Sequence, residues 1–185
     1  MEYISTRNSE KIFSFREVFL KGLAPDGGLF VPKKLPTFTS KELKNLEKLS
    51  YVDLATKIVF KFCSSEFSEN EIQDLIENSY KNFRTKEVVE IKRTKNLNLL
   101  ELFYGPTLAF KDIAMQVIGN MYDELEVAKD NKVNVVVATS GDTGSAAISA
   151  LNDRKNINVF VLHPNNKISN IQRKIMTTIG SNNIY

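Results

Sequence analysis

From Val133 to Leu162 the sequence permits few arrangements. Val133-Asn134-Val135-Val136-Val137-Ala138 is a β-branched run with the composition of a strand, and it reads as a central one. Thr139 to Gly144 is a turn rich in hydroxyls and glycine, leading into a helix that reaches about Leu151. Asn158 to Leu162 is the next strand. A strand, a helix and a strand within about 30 residues make a βαβ unit, which demands a parallel sheet with a right-handed crossover.

The segment before this unit carries the most suggestive chemistry. Val88-Val89-Glu90-Ile91 is strand-like, Lys95 to Asn98 can turn, and Leu99 to Phe103 can return as a strand buried on both faces. Gly105-Pro106 breaks the pattern. Thr107 is an expected N-cap for a helix running through Ala114, Met115, Val117, Ile118, Met121 and Tyr122 to about Ala128, with Asp130-Asn131-Lys132 as a polar connector. Lys111 then sits in or near the first helical turn. The positive end of the helix dipole and the apolar neighbours Leu108, Ala109 and Phe110 disfavour an ammonium there. A lysine so placed is a nucleophilic amine able to condense with an aldehyde. On spacing alone, a solvated lysine with its stem along the helix is the commoner explanation of such a residue.

Residues 1–86 read as a mainly helical module. Ser14-x-x-Glu17, with Gly22 as the stop, frames a helix over Phe15–Lys21. Pro25-Asp26-Gly27-Gly28 is a tight turn, and Leu29 to Val31 is extended. Thr39-x-x-Glu42, Ser50-x-x-Asp53 and Ser68-x-x-Glu71 start three more helices. Tyr51, Leu54, Ala55, Ile58, Val59 and Phe62 form one apolar stripe; Ile72, Leu75, Ile76, Ser79, Tyr80 and Phe83 form another. Both stripes are read as core packing.

Composition removes several classes of function. The net charge is +3, and the 25 Lys and Arg are interleaved with acids, so no basic stripe marks a nucleic-acid face. No apolar run approaches the ~18 residues of a membrane span, and no apolar signal core follows Met1. The one cysteine, Cys63, rules out an internal disulfide and fits the reducing cytoplasm. The one histidine, His163, leaves no His-rich metal site and reads as a structural residue before a proline turn.

Thr139 to Gly144 lies where a strand ends and a helix begins, the place where open α/β sheets bind ligands. Gly141 and Gly144 let backbone approach a ligand, and Thr139, Ser140, Thr143 and Ser145 bring hydroxyls. Free N–H groups at the helix start favour a carboxylate or a phosphate. The Gly-Lys-Ser/Thr of a P-loop is absent, and Gly141-x-x-Gly144 is one glycine short of a dinucleotide fingerprint. As a bare pattern the stretch remains either an anion site or an ordinary capped turn.

Three separated segments resemble one family. Gly105-Pro106-Thr107-Leu108-Ala109-Phe110-Lys111-Asp112 looks like the pyridoxal-phosphate lysine segment of the threonine synthase family. Tyr3 to Arg7 with Gly22 to Pro32 resembles the opening of that family, which other pyridoxal-phosphate enzymes of the fold do not share. Ser140-Gly141-Asp142-Thr143-Gly144 is similar to its substrate-carboxylate loop, where related sulfhydrylases carry Asn in place of Asp142. His163 to Arg173 and Met176 to Thr178 also resemble the family.

The resemblance implies an α/β fold. The helical module, residues 1–86, would precede the start of a parallel-sheet, tryptophan synthase β-like domain, residues 87–185. It implies pyridoxal 5′-phosphate held by Lys111, with Asp142 facing the cofactor. Ser140, Gly141 and Thr143 would hold the substrate α-carboxylate. The implied reaction turns O-phospho-L-homoserine and water into L-threonine and phosphate, with Lys111 as proton shuttle. The family has a His where this chain has Tyr104, so no role is carried over to that side chain.

Family members are much longer. The cofactor's phosphate cup and the residue facing its pyridine nitrogen are expected beyond Tyr185, and the chain is expected to be an inactive fragment by itself. Another pyridoxal-phosphate lyase or dehydratase of the same fold, or a non-catalytic module keeping the fold, are the rival readings.

Overall fold

A computed structural model describes residues 1–125 and 132–185, and the chain divides into two compact units, Met1–Glu77 and Asn78–Tyr185. The division falls inside a helix, somewhat before the boundary expected from the sequence.

In the first unit β1 (Tyr3–Ser5) pairs antiparallel with β2 (Phe30–Pro32), Tyr3 opposite Pro32. The turn between them closes on Asp26, whose Oδ1 accepts from Ser5 Oγ at 2.7 Å and from Gly28 N at 2.9 Å. Gly28 fits closely: a Cβ there would lie 2.2 Å from Ser5 Oγ and displace the hydroxyl that Asp26 holds. Four helices follow the expected start signals, α1 (Phe15–Lys21), α2 (Ser40–Leu46), α3 (Tyr51–Cys63) and α4 (Glu69–Tyr80). Ser14 and Thr39 form complete capping boxes with Glu17 and Glu42, and Ser68 exchanges the same two bonds with Glu71. The α4 stripe is buried as expected at Ile72, Leu75 and Ile76. The α3 stripe is only half-buried; Thr56 and Cys63 are the buried residues of that helix.

In the second unit β3 (Glu90–Arg93) and β4 (Asn98–Glu101) form an antiparallel hairpin, Glu90 opposite Glu101. The expected burial of this return strand is corrected by the structure: Leu99 and Leu100 are exposed, because a two-stranded ribbon has no layer over these side chains. Helix α5 (Asp112–Glu124) packs on α6 (Asp142–Leu151). The two backbones touch at Gly119, where a Cβ would lie 2.6 Å from the Ala150 carbonyl oxygen. Arg154 straps the pair, donating from Nε to Ala150 O at 2.7 Å and from Nη2 to Asn120 Oδ1 at 3.0 Å, and pairing with Asp123. The expected continuation of α5 toward Ala128, and the connector from Asp130, lie outside the described residues.

The βαβ unit is present. β5 (Val133–Ala138) runs parallel to β6 (Ile157–Leu162), Val133 opposite Ile157, and α7 (Asn170–Thr177) follows. The expectation that β5 is central is corrected. Among the described residues β5 pairs with β6 alone, while β6 also takes a parallel bridge from Val159 to Ile184. Val135, Val137, Ile157 and Val159 point to a core with Leu151 and Tyr122. Val136, Phe160 and Leu162 face the open side.

Candidate functional site

The loop from β4 to α5 is built around a buried carboxylate. Asp112 has no exposed surface; its Oδ2 accepts from Thr107 N and its Oδ1 from Thr107 Oγ1, both at 2.8 Å. Burial raises the Asp112 carboxyl above the ordinary range, and the Thr107 bonds pull it back. Arg84 donates to Gly105 O through its guanidinium and to Tyr104 O through its backbone N–H at 2.9 Å. The expected N-cap role of Thr107 is therefore corrected. Its hydroxyl serves Asp112, the segment from Gly105 to Lys111 forms successive turns, and Leu108 at φ 64° interrupts any helix there.

Lys111 is the residue immediately before the helix, and Met115 N donates to its carbonyl at 2.9 Å. Its side chain is half-buried. Phe110, an apolar neighbour in the sequence reading, presents its ring face to the Lys111 amine at 4.6 Å, a cation–π contact. Tyr104 turns elsewhere. Its hydroxyl donates to Glu101 Oε2, and that bond raises the phenol well above its usual range.

The β5–α6 turn is held by Thr139. Its Oγ1 accepts from Gly141 N at 3.1 Å and Gly144 N at 3.0 Å, so this hydroxyl is committed to the loop. Gly141 takes φ 150°, and a Cβ on it would lie 2.5 Å from Gln172 Nε2. Gly144 has no room for a side chain: a Cβ there would stand 2.4 Å from Thr139 Cγ2 and 2.7 Å from Met176 Sδ. Gln172 Nε2 donates to Asp142 Oδ1 at 3.0 Å, which ties α7 to the first turn of α6.

These two loops meet in a cleft of about 420 Å³, lined by Phe110, Lys111, Ser140, Asp142, Thr143 and Gln172, among others. Gly141, expected at the site, is buried and is not among the residues that line the cleft. The arrangement joins a primary amine, a carboxylate, three hydroxyl-bearing residues and a helix N-terminus. Chemically it can condense an aldehyde and bind a carboxylate. The sequence reading passed over the roles of Asp112 and Gln172. Ser169-x-x-Gln172 is a capping pattern that points to the start of α7, and Ser169 Oγ does accept from Gln172 N at 3.2 Å.

The family described as Threonine synthase N terminus matches residues 2–80. Threonine synthase of Schizosaccharomyces pombe is 43% identical over 195 residues, covering all of this chain and 38% of its own length. Threonine synthase of Pseudomonas aeruginosa is 40% identical over 186 residues, again covering all of this chain and 40% of its own length. Residues 2–80 thus match the N terminus of the threonine synthase family, and the whole chain is similar to part of known threonine synthases. It spans about two fifths of the length of the threonine synthases it matches. Two solved structures agree. A pyridoxal-phosphate-bound threonine synthase from Brucella melitensis matches with TM-score 0.90 and 38% identity, over 100% of this chain and 40% of that one. Yeast threonine synthase matches with TM-score 0.90 and 41% identity, over 99% of this chain and 39% of that one.

Proposed function

We propose that this chain supplies the reactive amine and the substrate-carboxylate loop of a threonine synthase, which converts O-phospho-L-homoserine and water into L-threonine and phosphate. The observation that carries the reading is the meeting of Lys111 with Ser140, Asp142 and Thr143 on one cleft. The donor set of that cleft suits pyridoxal 5′-phosphate: an amine for its aldehyde, with a carboxylate and hydroxyls close by. Lys111 would hold the carbonyl carbon and Asp142 would face the ring. Ser140, Gly141 and Thr143, with the first N–H groups of α6, would hold the substrate α-carboxylate.

When bound, the cofactor supplies an electron sink for the carbon acid. The chain's own part is proton traffic. Lys111 would take a proton from the substrate Cα and one from Cβ as phosphate leaves the γ carbon, then return one to the γ carbon and, once the hydroxyl of water has added at the β carbon, one to Cα; the remaining proton of water goes to phosphate. Cys63, a free buried thiol, accords with a cytoplasmic site of action.

Mixing the chain with pyridoxal 5′-phosphate, reducing with borohydride and mapping peptides should place the adduct on Lys111, and Lys111→Ala should abolish it. An adduct on other lysines, or none on a chain extended through the expected phosphate cup, overturns the reading. Turnover of O-phosphohomoserine by these 185 residues alone is expected to be undetectable, given their share of the relatives' length; measurable turnover would refute that part.

A further inference from the structure

We propose that Asp112 is the positioning residue for Lys111: by holding both polar groups of Thr107 it fixes the turn that directs the amine to the cleft. The inference rests on the reading of Lys111 as the reactive amine, and it adds a residue to which that reading gives no part.

A carboxylate with no exposed surface is costly unless its oxygens are occupied. Here each oxygen takes one bond from the same residue, Thr107, five positions earlier in the chain. The turn is wrapped tightly on the acid. A Cβ at Gly105 would meet Asp112 Cβ at 2.4 Å and Oδ2 at 2.5 Å, so only glycine passes. Between these contacts Leu108 is held at φ 64°, a left-handed conformation that disfavours a residue with a side chain. Arg84 fastens the turn from outside through Gly105 O, and its charge favours the ionised form of Asp112.

Lys111 has helical backbone angles and no side-chain cap of its own, so the start of α5 takes its placement from the Thr107–Asp112 pair. Adjacent residues on a helix point in different directions. With the Asp112 side chain anchored inward, Lys111 is left half-exposed on the cleft. Asp112 itself is too enclosed to touch a ligand.

Three variants of the full chain test this: Asp112→Asn, Thr107→Val and Thr107→Ser. Two readings are taken, amide hydrogen exchange over residues 105–111 and the rate of borohydride-trapped pyridoxal 5′-phosphate addition at Lys111. Thr107→Val and Asp112→Asn should speed local exchange and slow Lys111 trapping, each about tenfold, as expected for loss of a hydrogen bond to a charged group. Thr107→Ser keeps the hydroxyl and should restore both. A lowered melting temperature with unchanged Lys111 trapping in the folded variants would mean a purely structural anchor, and would overturn the proposal. So would unchanged exchange. If Asp112→Asn does not fold, Thr107→Val carries the test. Should the unaltered chain show no preference for Lys111, the functional reading fails, and the exchange result alone judges the role of Asp112.

Discussion

Cys63 has no exposed surface, and burial pushes its thiol up to about 12. Tyr3, whose hydroxyl donates to Phe62 O at 2.6 Å, is likewise pushed up to about 12, first by burial and then by proximity to Cys63. Both are acids that the fold accepts only when neutral. Their contribution to stability is whole below the ordinary values of 9.0 and 10.0, and is lost as the pH rises through about 12. At mildly alkaline pH the folded chain should leave Cys63 unreactive toward a disulfide reagent such as DTNB, with prompt reaction once guanidinium unfolds it. Fast reaction of the native chain would contradict its burial. The motifs around Lys111 and from Ser140 to Thr143 were legible in the sequence because each is contiguous, and the structure sets both on one cleft. Asp112 and Gln172 were not, since their partners are Thr107 across a strained turn and Asp142 on another element.

At the scale of elements, the crossing of α5 and α6 depends on a missing side chain. Gly119→Ala would drive a methyl to 2.6 Å from Ala150 O and 3.0 Å from Arg154 Nη2, contacts that force the helices apart. A loss of about 1–3 kcal/mol is expected, read as a lower midpoint in thermal or urea unfolding. An unchanged midpoint would show that the crossing yields freely. Helix starts were readable because a capping box is a local signal, complete within four residues at Ser14, Thr39 and Ser68. Thr107 defeated the same logic. A buried acid claimed its hydroxyl, and Leu108 entered the left-handed region, neither of which a propensity encodes. The pairing of β1 with β2 also escaped the sequence reading, because it joins two three-residue strands far apart in the chain.

For the whole molecule, the order of a helical module and a βαβ unit was visible in the sequence, while the place of β5 in its sheet was not. Three consecutive valines suggest burial on both faces, yet only alternate ones meet the core. Val136 remains 64% exposed, with Leu162 at 60% on the neighbouring strand. Greasy side chains beside a backbone margin that has no partner among the described residues are an invitation to stick. Concentrated solutions of the chain should accordingly accumulate dimers, seen as a rising weight-average mass in sedimentation. Val136→Lys should keep it monomeric, as an ammonium on that margin repels its own copy.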